Sequence, residues 1–174
     1  MADELFRTIP VTPRALGKVT LVDAEDYEWI SKHKWQLSNI NEGRLYASRL
    51  VKVNGRSCRV MLHRVIMDAP NGLMVDHVNR DGLDNRRCNL RICTNQQNQR
   101  NRQPGISKLG HSYKGVKRIK STGKWIALIG VDYKRIHVGT FDNVHDAARA
   151  YNEAALRLFG EFARLNEIAS SPTN

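Results

Sequence analysis

Met74-Val-Asp-His77, Asp84-Asn-Arg-Arg-Cys-Asn89-Leu-Arg91 and Asn95-Gln-Gln-Asn98 follow one another within one short segment. The apolar run from Leu73 to His77 predicts a strand, and Asn79-Arg-Asp-Gly-Leu-Asp-Asn85 a turn-rich loop. Asn89 to Thr94 predicts a second strand, with Thr94 or Asn95 capping a polar helix that runs toward Arg102. A strand, a strand and a helix in this order can gather an acid, a histidine and two carboxamides around one metal ion. Hydrolysing a phosphodiester needs such a set: a deprotonated water, a cation on a non-bridging oxygen, and stabilisation of the departing alkoxide.

Asp76 offers a hard anionic oxygen and Asn98 a neutral carbonyl oxygen, ligand types that suit magnesium or manganese and disfavour zinc. His77 is the nearby side chain suited to take a proton from water near neutrality, since an unperturbed imidazole titrates at about 6.5. Asn89 can hold the other ring nitrogen or brace the loop. Adjacent residues of a strand point to opposite faces, so bringing Asp76 and His77 to one phosphate calls for a bulge or a strand end there.

These residues resemble the HNH endonucleases, of the kind found in phage intron-encoded nicking enzymes and free-standing homing endonucleases. The family pattern is matched by Asp76-His77, by Asp84-Asn85 through Asn89-Leu90-Arg91, and by Asn98. The resemblance implies that His77 activates water, that Asn89 orients it, and that Asp76 and Asn98 bind the metal in a two-strand-and-helix core. His63-Arg64 matches the His-Arg that usually precedes this core and either braces the fold or contacts DNA. The third motif position is Asn98, where other branches of the family have histidine.

Around that segment lie 174 residues, enough for one ordinary domain or two small ones. Lys and Arg outnumber Asp and Glu by 28 to 17, a net charge of +11 that points to a polyanionic partner, nucleic acid before membrane. The excess is localised: from Gln97 to Thr140 there are ten Lys or Arg against the single acid Asp132. Cys58, Cys88 and Cys93 form no CxxC pair, which supports neither a disulfide framework nor a structural zinc. No charged-then-apolar leader opens the sequence, and no apolar run approaches the roughly 20 residues of a membrane span. The expected setting is cytoplasmic, that of a phage-infected host cell included.

Upstream of the motif, Ile9 to Thr12 and Gly17 to Val22 predict short strands after a frayed Met1 to Arg7, and Asp23 to Lys34 a short helix with acids in its first turn. Trp35 and Leu37 start a return strand. Tyr46 to Val53 and Arg56 to Leu62 flank Asn54-Gly55, a strong hairpin signal, and a short helix should begin at His63 and stop near Pro70. Downstream, Gln103 to Gly110 has linker composition. Tyr113 to Arg118, Lys124 to Val131 and Arg135 to Thr140 predict three strands, followed by a helix from Asn143 to Phe159. Ala147, Tyr151, Ala154, Ala155, Leu158 and Phe162 would form its apolar face. Residues 167–174 are expected to be disordered.

Trp125, Gly139, Phe141 and the Ala-rich helix resemble the packing residues of the Apetala-type, ethylene-response-factor DNA-binding domain of plants. The resemblance implies a sheet that binds DNA, with Lys114, Lys117, Arg118, Lys124 and Arg135 as the contacting residues. Where plant members carry groove-facing Glu and Arg on the second strand this chain has Leu128 and Gly130, and His137 replaces a tryptophan on the third.

The expected fold is therefore α+β. Residues 1–102 would form an HNH (ββα-metal, His-Me finger) nuclease domain with its catalytic core at 60–102, 103–111 a linker, and 112–166 a three-stranded antiparallel sheet packed on one helix. The expected function is metal-dependent endonuclease action on double-stranded DNA, as a homing-type nicking enzyme, with magnesium as cofactor and manganese as the substitute. It should need no protein partner and no membrane. The alternatives are a sequence-specific regulator whose HNH core is inactive and, more weakly, an RNA-directed protein, against which the shortage of a clustered aromatic platform counts.

Overall fold

The computed structural model describes residues 5–12, 17–39, 44–101 and 113–168. The chain divides into two compact units, residues 1–98 and 99–174. The expected linker at 103–111 and all of the expected disordered tail except Glu167 and Ile168 lie outside the described residues.

In the first unit β1 (Phe6–Thr12), β2 (Val19–Asp23), β3 (Trp35–Asn39), β4 (Leu45–Val53) and β5 (Arg56–Met61) form one sheet in the order β2-β1-β3-β4-β5. All neighbours are antiparallel except β1 and β3. β1 starts at Phe6, within the stretch expected to fray, because Phe6 and Arg7 pair with Asp23 and Val22 of β2. The helix α1 (Ala24–Ser31) stops before Lys34, and the Trp35 indole donates to the Ile30 carbonyl at 3.0 Å to close its end. Asn54 and Gly55 both have positive φ, 50° and 76°, which gives the hairpin turn whose twist matches its strands.

Next come α2 (Leu62–Ile66), β6 (Met74–His77), β7 (Leu90–Cys93) and α3 (Asn95–Arg100). The β6–β7 pair is a separate two-stranded sheet. Its Val75 and Leu90 join Val22, Ile30, Trp35 and Leu62 in one apolar core. Thr94 and Gln97 form a reciprocal capping box at the start of α3: Gln97 N donates to Thr94 Oγ1 at 3.2 Å and Thr94 N to Gln97 Oε1 at 2.8 Å.

In the second unit β8 (Val116–Arg118), β9 (Trp125–Val131) and β10 (Lys134–Phe141) make an antiparallel sheet in the order β10-β9-β8, with α4 (Val144–Phe159) against one face. Asn143 Oδ1 caps α4 by accepting from His145 N at 2.7 Å. Ala147, Tyr151, Ala154 and Ala155 are buried as the helical spacing predicts, but Leu158 is 43% exposed and Phe159 takes the last core seat. The i, i+4 row from Ala147 through Tyr151 and Ala155 ends on position 159. Gly115, at φ 75°, lies where a Cβ would run into the Tyr151 ring. This α+β architecture, with the C-terminal sheet packed on one helix, is the one the sequence predicts.

Candidate active site

The β6–β7 ladder runs without a bulge from Met74 opposite Cys93 to His77 opposite Leu90. Asp76 and His77 therefore face opposite sides of the strand, with His77 on the side of Val75 and Leu90. The chain does turn directly afterwards: Arg80 N donates to the His77 carbonyl at 2.9 Å, and Arg80 itself has φ 69°. The expected strand end is present and the expected bulge is not.

On its face Asp76 is buried beside its cross-strand partner Arg91, whose Nε and NH2 both donate to Oδ2, at 3.0 and 2.7 Å. With side chains only 8% and 13% exposed, the pair is shielded from solvent and fixes the carboxylate in one orientation.

On the other face His77 is 4% exposed, and its Nε2 lies 3.2 Å from Asn85 Oδ1. Asn85, fully buried, donates through Nδ2 to Thr20 Oγ1 at 2.7 Å and to the Gly82 carbonyl. Thr20 uses its own hydroxyl proton on the Leu83 carbonyl at 2.7 Å, so its oxygen must accept from Asn85. This chain of donors fixes the Asn85 amide with its oxygen toward the histidine. The neutral imidazole thus carries its proton on Nε2 and presents Nδ1 as the acceptor. Burial lowers the His77 pKa below its ordinary 6.5, opposed in part by the Asn85 bond and by Asp76, so the ring is unprotonated at neutral pH.

The loop between β6 and β7 is stitched to β2 over its backbone: Leu21 N donates to the Leu83 carbonyl and Asn85 N to the Leu21 carbonyl, both at 2.8 Å. Arg87 reinforces the seam. Its backbone N reaches Asp23 Oδ2 at 2.7 Å, and its guanidinium reaches Asp26 at 2.8 Å. Asp23 is therefore committed to the loop and makes no side-chain cap to α1. Gly82 lets the loop approach β4, since a Cβ there would collide with the Leu45 carbonyl and the Tyr46 ring.

Tyr46 in turn lies against both histidines, with ring centroids 5.6 Å from His63 and 5.7 Å from His77, and the two imidazoles meet edge to face at 5.1 Å. His63 is 8% exposed, and its pKa is lowered to about 3 by burial, then by His77 and Arg64. Arg64 donates to the carbonyls of Leu73, Ala69 and Pro70 at 2.7 to 3.1 Å. Of the two roles expected for this pair, the fold shows the bracing one: His63 is a wall of the histidine pocket and Arg64 ties down the segment before β6.

Asn89 braces the loop and does not hold the imidazole. Its Oδ1 accepts from Asn79 N at 2.9 Å, and its Nδ2 donates to Asn79 Oδ1 and the Asp84 carbonyl. Asp84 completes the clasp through Asn79 and Arg86, and the Arg86 guanidinium holds its carboxyl below the usual range. Asn98 is half-buried on α3, where its N–H donates to the Thr94 carbonyl at 3.0 Å. Sequence reasoning gave no role to Asn85, Thr20 and Tyr46. Asn85 stood inside the quoted motif, whereas nothing local marks Thr20 or Tyr46.

In the second unit the register assigns each basic residue to a face. Lys117 pairs with Ile126 and Arg135 with Gly130, on the side away from α4, and Lys124 directly precedes β9. All three are exposed, and Lys124 reaches Asp142 at 3.1 Å. Arg118 pairs with Trp125, which packs on the core, so it belongs to the helix side and does not share the face of Lys117. Lys114 precedes β8, half-buried: its ammonium donates to the Arg100 carbonyl and its backbone is clasped by the Asn166 side chain. Burial, with Arg164 nearby, lowers its pKa to about 8. Of the five residues of the expected contact row, Lys117, Lys124 and Arg135 thus share one face, while Arg118 lies on the other and Lys114 before the strand.

Two known domain types are similar to parts of this chain: residues 60–100 match the family model of the HNH endonuclease and residues 111–161 that of the AP2 domain. An uncharacterized HNH endonuclease of Acanthamoeba polyphaga mimivirus is 29% identical over 163 residues, 89% of this chain and 78% of that protein. The dehydration-responsive element-binding protein 2D of Arabidopsis thaliana is 44% identical over 74 residues, and the APETALA2-like protein 2 of Oryza sativa 41% over 54. These two alignments cover 36% and 31% of this chain and only 35% and 12% of the plant proteins. No solved structure matches the chain at a significant level. Among the described residues no helix is long and apolar enough to cross a membrane.

Proposed function

We propose that this protein is a metal-dependent DNA endonuclease that nicks duplex DNA at a target site, of the homing type its motif resembles, with the AP2 sheet positioning the HNH core. The observation that carries the reading is the buried His77, held by Asn85 at the end of β6 and back to back with Asp76. In-line displacement at phosphorus puts the attacking water and the departing oxygen on opposite sides of the phosphate. A phosphodiester lying across the strand end would meet His77 on one side and Asp76 on the other, so the opposed faces suit the reaction.

His77 Nδ1 accepts the proton of the attacking water, while Asn85 holds Nε2–H and keeps the ring oriented. Asn89 and Asp84 keep the loop in place through Asn79. The donor set fits a hard divalent ion: Asp76 gives a carboxylate oxygen and Asn98 a carboxamide oxygen. Among the described residues no three His, Cys, Asp or Glu side chains gather at one point. Such oxygen donors suit magnesium, with manganese able to substitute. When bound, such an ion supplies charge for the non-bridging oxygen and the departing alkoxide. One constellation per chain suits nicking of one strand by a monomer.

The test is incubation of the pure protein with supercoiled plasmid and with its native genomic DNA, in magnesium, in manganese and in chelator. Nicking that needs the metal supports the proposal. Tight binding with no cleavage in either metal would make the protein a DNA-binding regulator instead.

A further inference from the structure

We infer that the outer face of the β8-β9-β10 sheet reads thymine methyl groups in the major groove through Ile126 and Leu128, so that thymines mark the target. This rests on the reading of that sheet as the DNA-binding surface and names what it recognises.

A sheet with one face on a core and the other toward solvent alternates apolar inward and polar outward. In β9 the inward set is Trp125, Ala127, Ile129 and Val131, of which Ala127 and Ile129 are 0% and 1% exposed. The outward set should then be polar, yet it is Ile126, Leu128 and Gly130. Neither Ile126 nor Leu128 belongs to the apolar cluster around α4, nor to the residues packed against it. Two half-buried aliphatic side chains on the central strand thus stand on the face away from α4, outside the cluster formed by the described residues.

What surrounds them is cationic. Lys117 flanks Ile126 from β8, Arg135 stands opposite Gly130 on β10, and Lys124 precedes the strand. A rim of cations around an apolar centre fits a major groove, whose phosphates lie outside and whose floor exposes the C5-methyl of thymine. The centre is poor in the groups that read guanine, which is recognised by bidentate Arg or Lys. Gly130 has no side chain, and His137, opposite Leu128, has its Nε2 3.0 Å from Thr140 Oγ1.

The experiment uses the full chain, either as His77→Ala or with chelator, so that bound DNA stays intact. Duplexes bound from a randomised library are sequenced, and each thymine of the selected site is then replaced by uracil, which pairs identically but lacks the methyl. One or two thymines should each lose about fourfold in affinity, the effect of one buried methyl. Leu128→Ala or Ile126→Ala should erase the thymine-over-uracil preference and leave the salt dependence unchanged, which a general loss of folding would not do. Equal affinity for thymine and uracil at every position, or a selected site without thymine, overturns the inference while leaving DNA binding intact. Failure to bind any duplex at low salt would remove the DNA-binding reading as well.

Discussion

In the first unit Asp76, His77, Asn85 and Asn89 are each under a tenth exposed and are hydrogen-bonded, Asp76 to Arg91, His77 to Asn85, Asn85 to Thr20, and Asn89 to Asn79 and the Asp84 carbonyl, while Asn98 is half-buried on α3. In the second unit Lys117, Lys124 and Arg135 are exposed on one sheet face, and among the described residues Lys124 has a charged partner, the exposed Asp142. Under the proposed function the first arrangement would fix orientation before DNA arrives, as a proton transfer requires. The second would leave charges hydrated until phosphates replace the water, giving affinity that salt can tune. One region is built for geometry and the other for attraction, and substitutions in the two should fail differently.

The largest effect should come from His77→Ala, which removes the proton acceptor. The nicking rate at saturating DNA should fall by about two to four orders of magnitude with the dissociation constant little changed. A rate within threefold of the wild type would break the comparison at its strongest point.

Asn85→Leu should come next, because it frees the imidazole to turn and removes the donor to the buried Thr20 hydroxyl oxygen, which keeps only its own bond to the Leu83 carbonyl. A smaller loss of rate is expected, with a stability cost of about 1–3 kcal/mol in urea unfolding. Thr20→Val should cost a similar amount by leaving Asn85 Nδ2 short of a partner, and should lower the rate although position 20 lies far from the motif in sequence. Unchanged nicking in both variants would mean that the seam between β2 and the loop does not orient the base.

The sheet should answer to salt. Lys117→Ala and Arg135→Ala should each weaken binding and lower the slope of log affinity against log salt by about one, with the saturated rate preserved. Arg118→Ala, on the helix side of the sheet, should change that slope least.

The effect on nicking is smallest for His63, whose substitution reads out in the pH dependence of stability and sharpens the account of the pocket. His63 titrates near 6.5 when unfolded and at about 3 in the fold, so between these values the unfolded chain binds a proton that the folded chain refuses. His63 therefore makes stability fall as the pH drops from about 6.5 toward 3, by up to about 1.4 kcal/mol per pH unit. Unfolding midpoints across that range should show a shallower decline in His63→Gln, and an identical decline would place the imidazole in contact with water.

The parts legible in the sequence are those with short-range signals. Asn54-Gly55 specifies its own turn, Asn143 its own cap, and Asp76-His77 through Asn98 the order of two strands and a helix. What was hidden depends on pairing across the chain. Asn85 meets Thr20 65 residues away only because β2 lies beside the loop, and no local pattern announces that. Arg118 looked equivalent to Lys117 because a strand's faces are settled only by register, and the register sets it against Trp125. Lys114 looked like a sheet lysine but lies before the strand begins. The pairing of Asp76 with Arg91 is likewise a fact of strand alignment, although both residues stood in the quoted motif.

The most direct test of the division between geometry and attraction is single-turnover nicking of supercoiled plasmid in magnesium, across a titration of protein, for His77→Ala and for the double variant Lys117→Ala/Arg135→Ala. The account predicts that His77→Ala lowers the plateau rate and keeps the half-saturating concentration, while the double variant raises that concentration and keeps the plateau. A double variant that loses its plateau rate, or a His77→Ala protein that keeps it, would contradict the account.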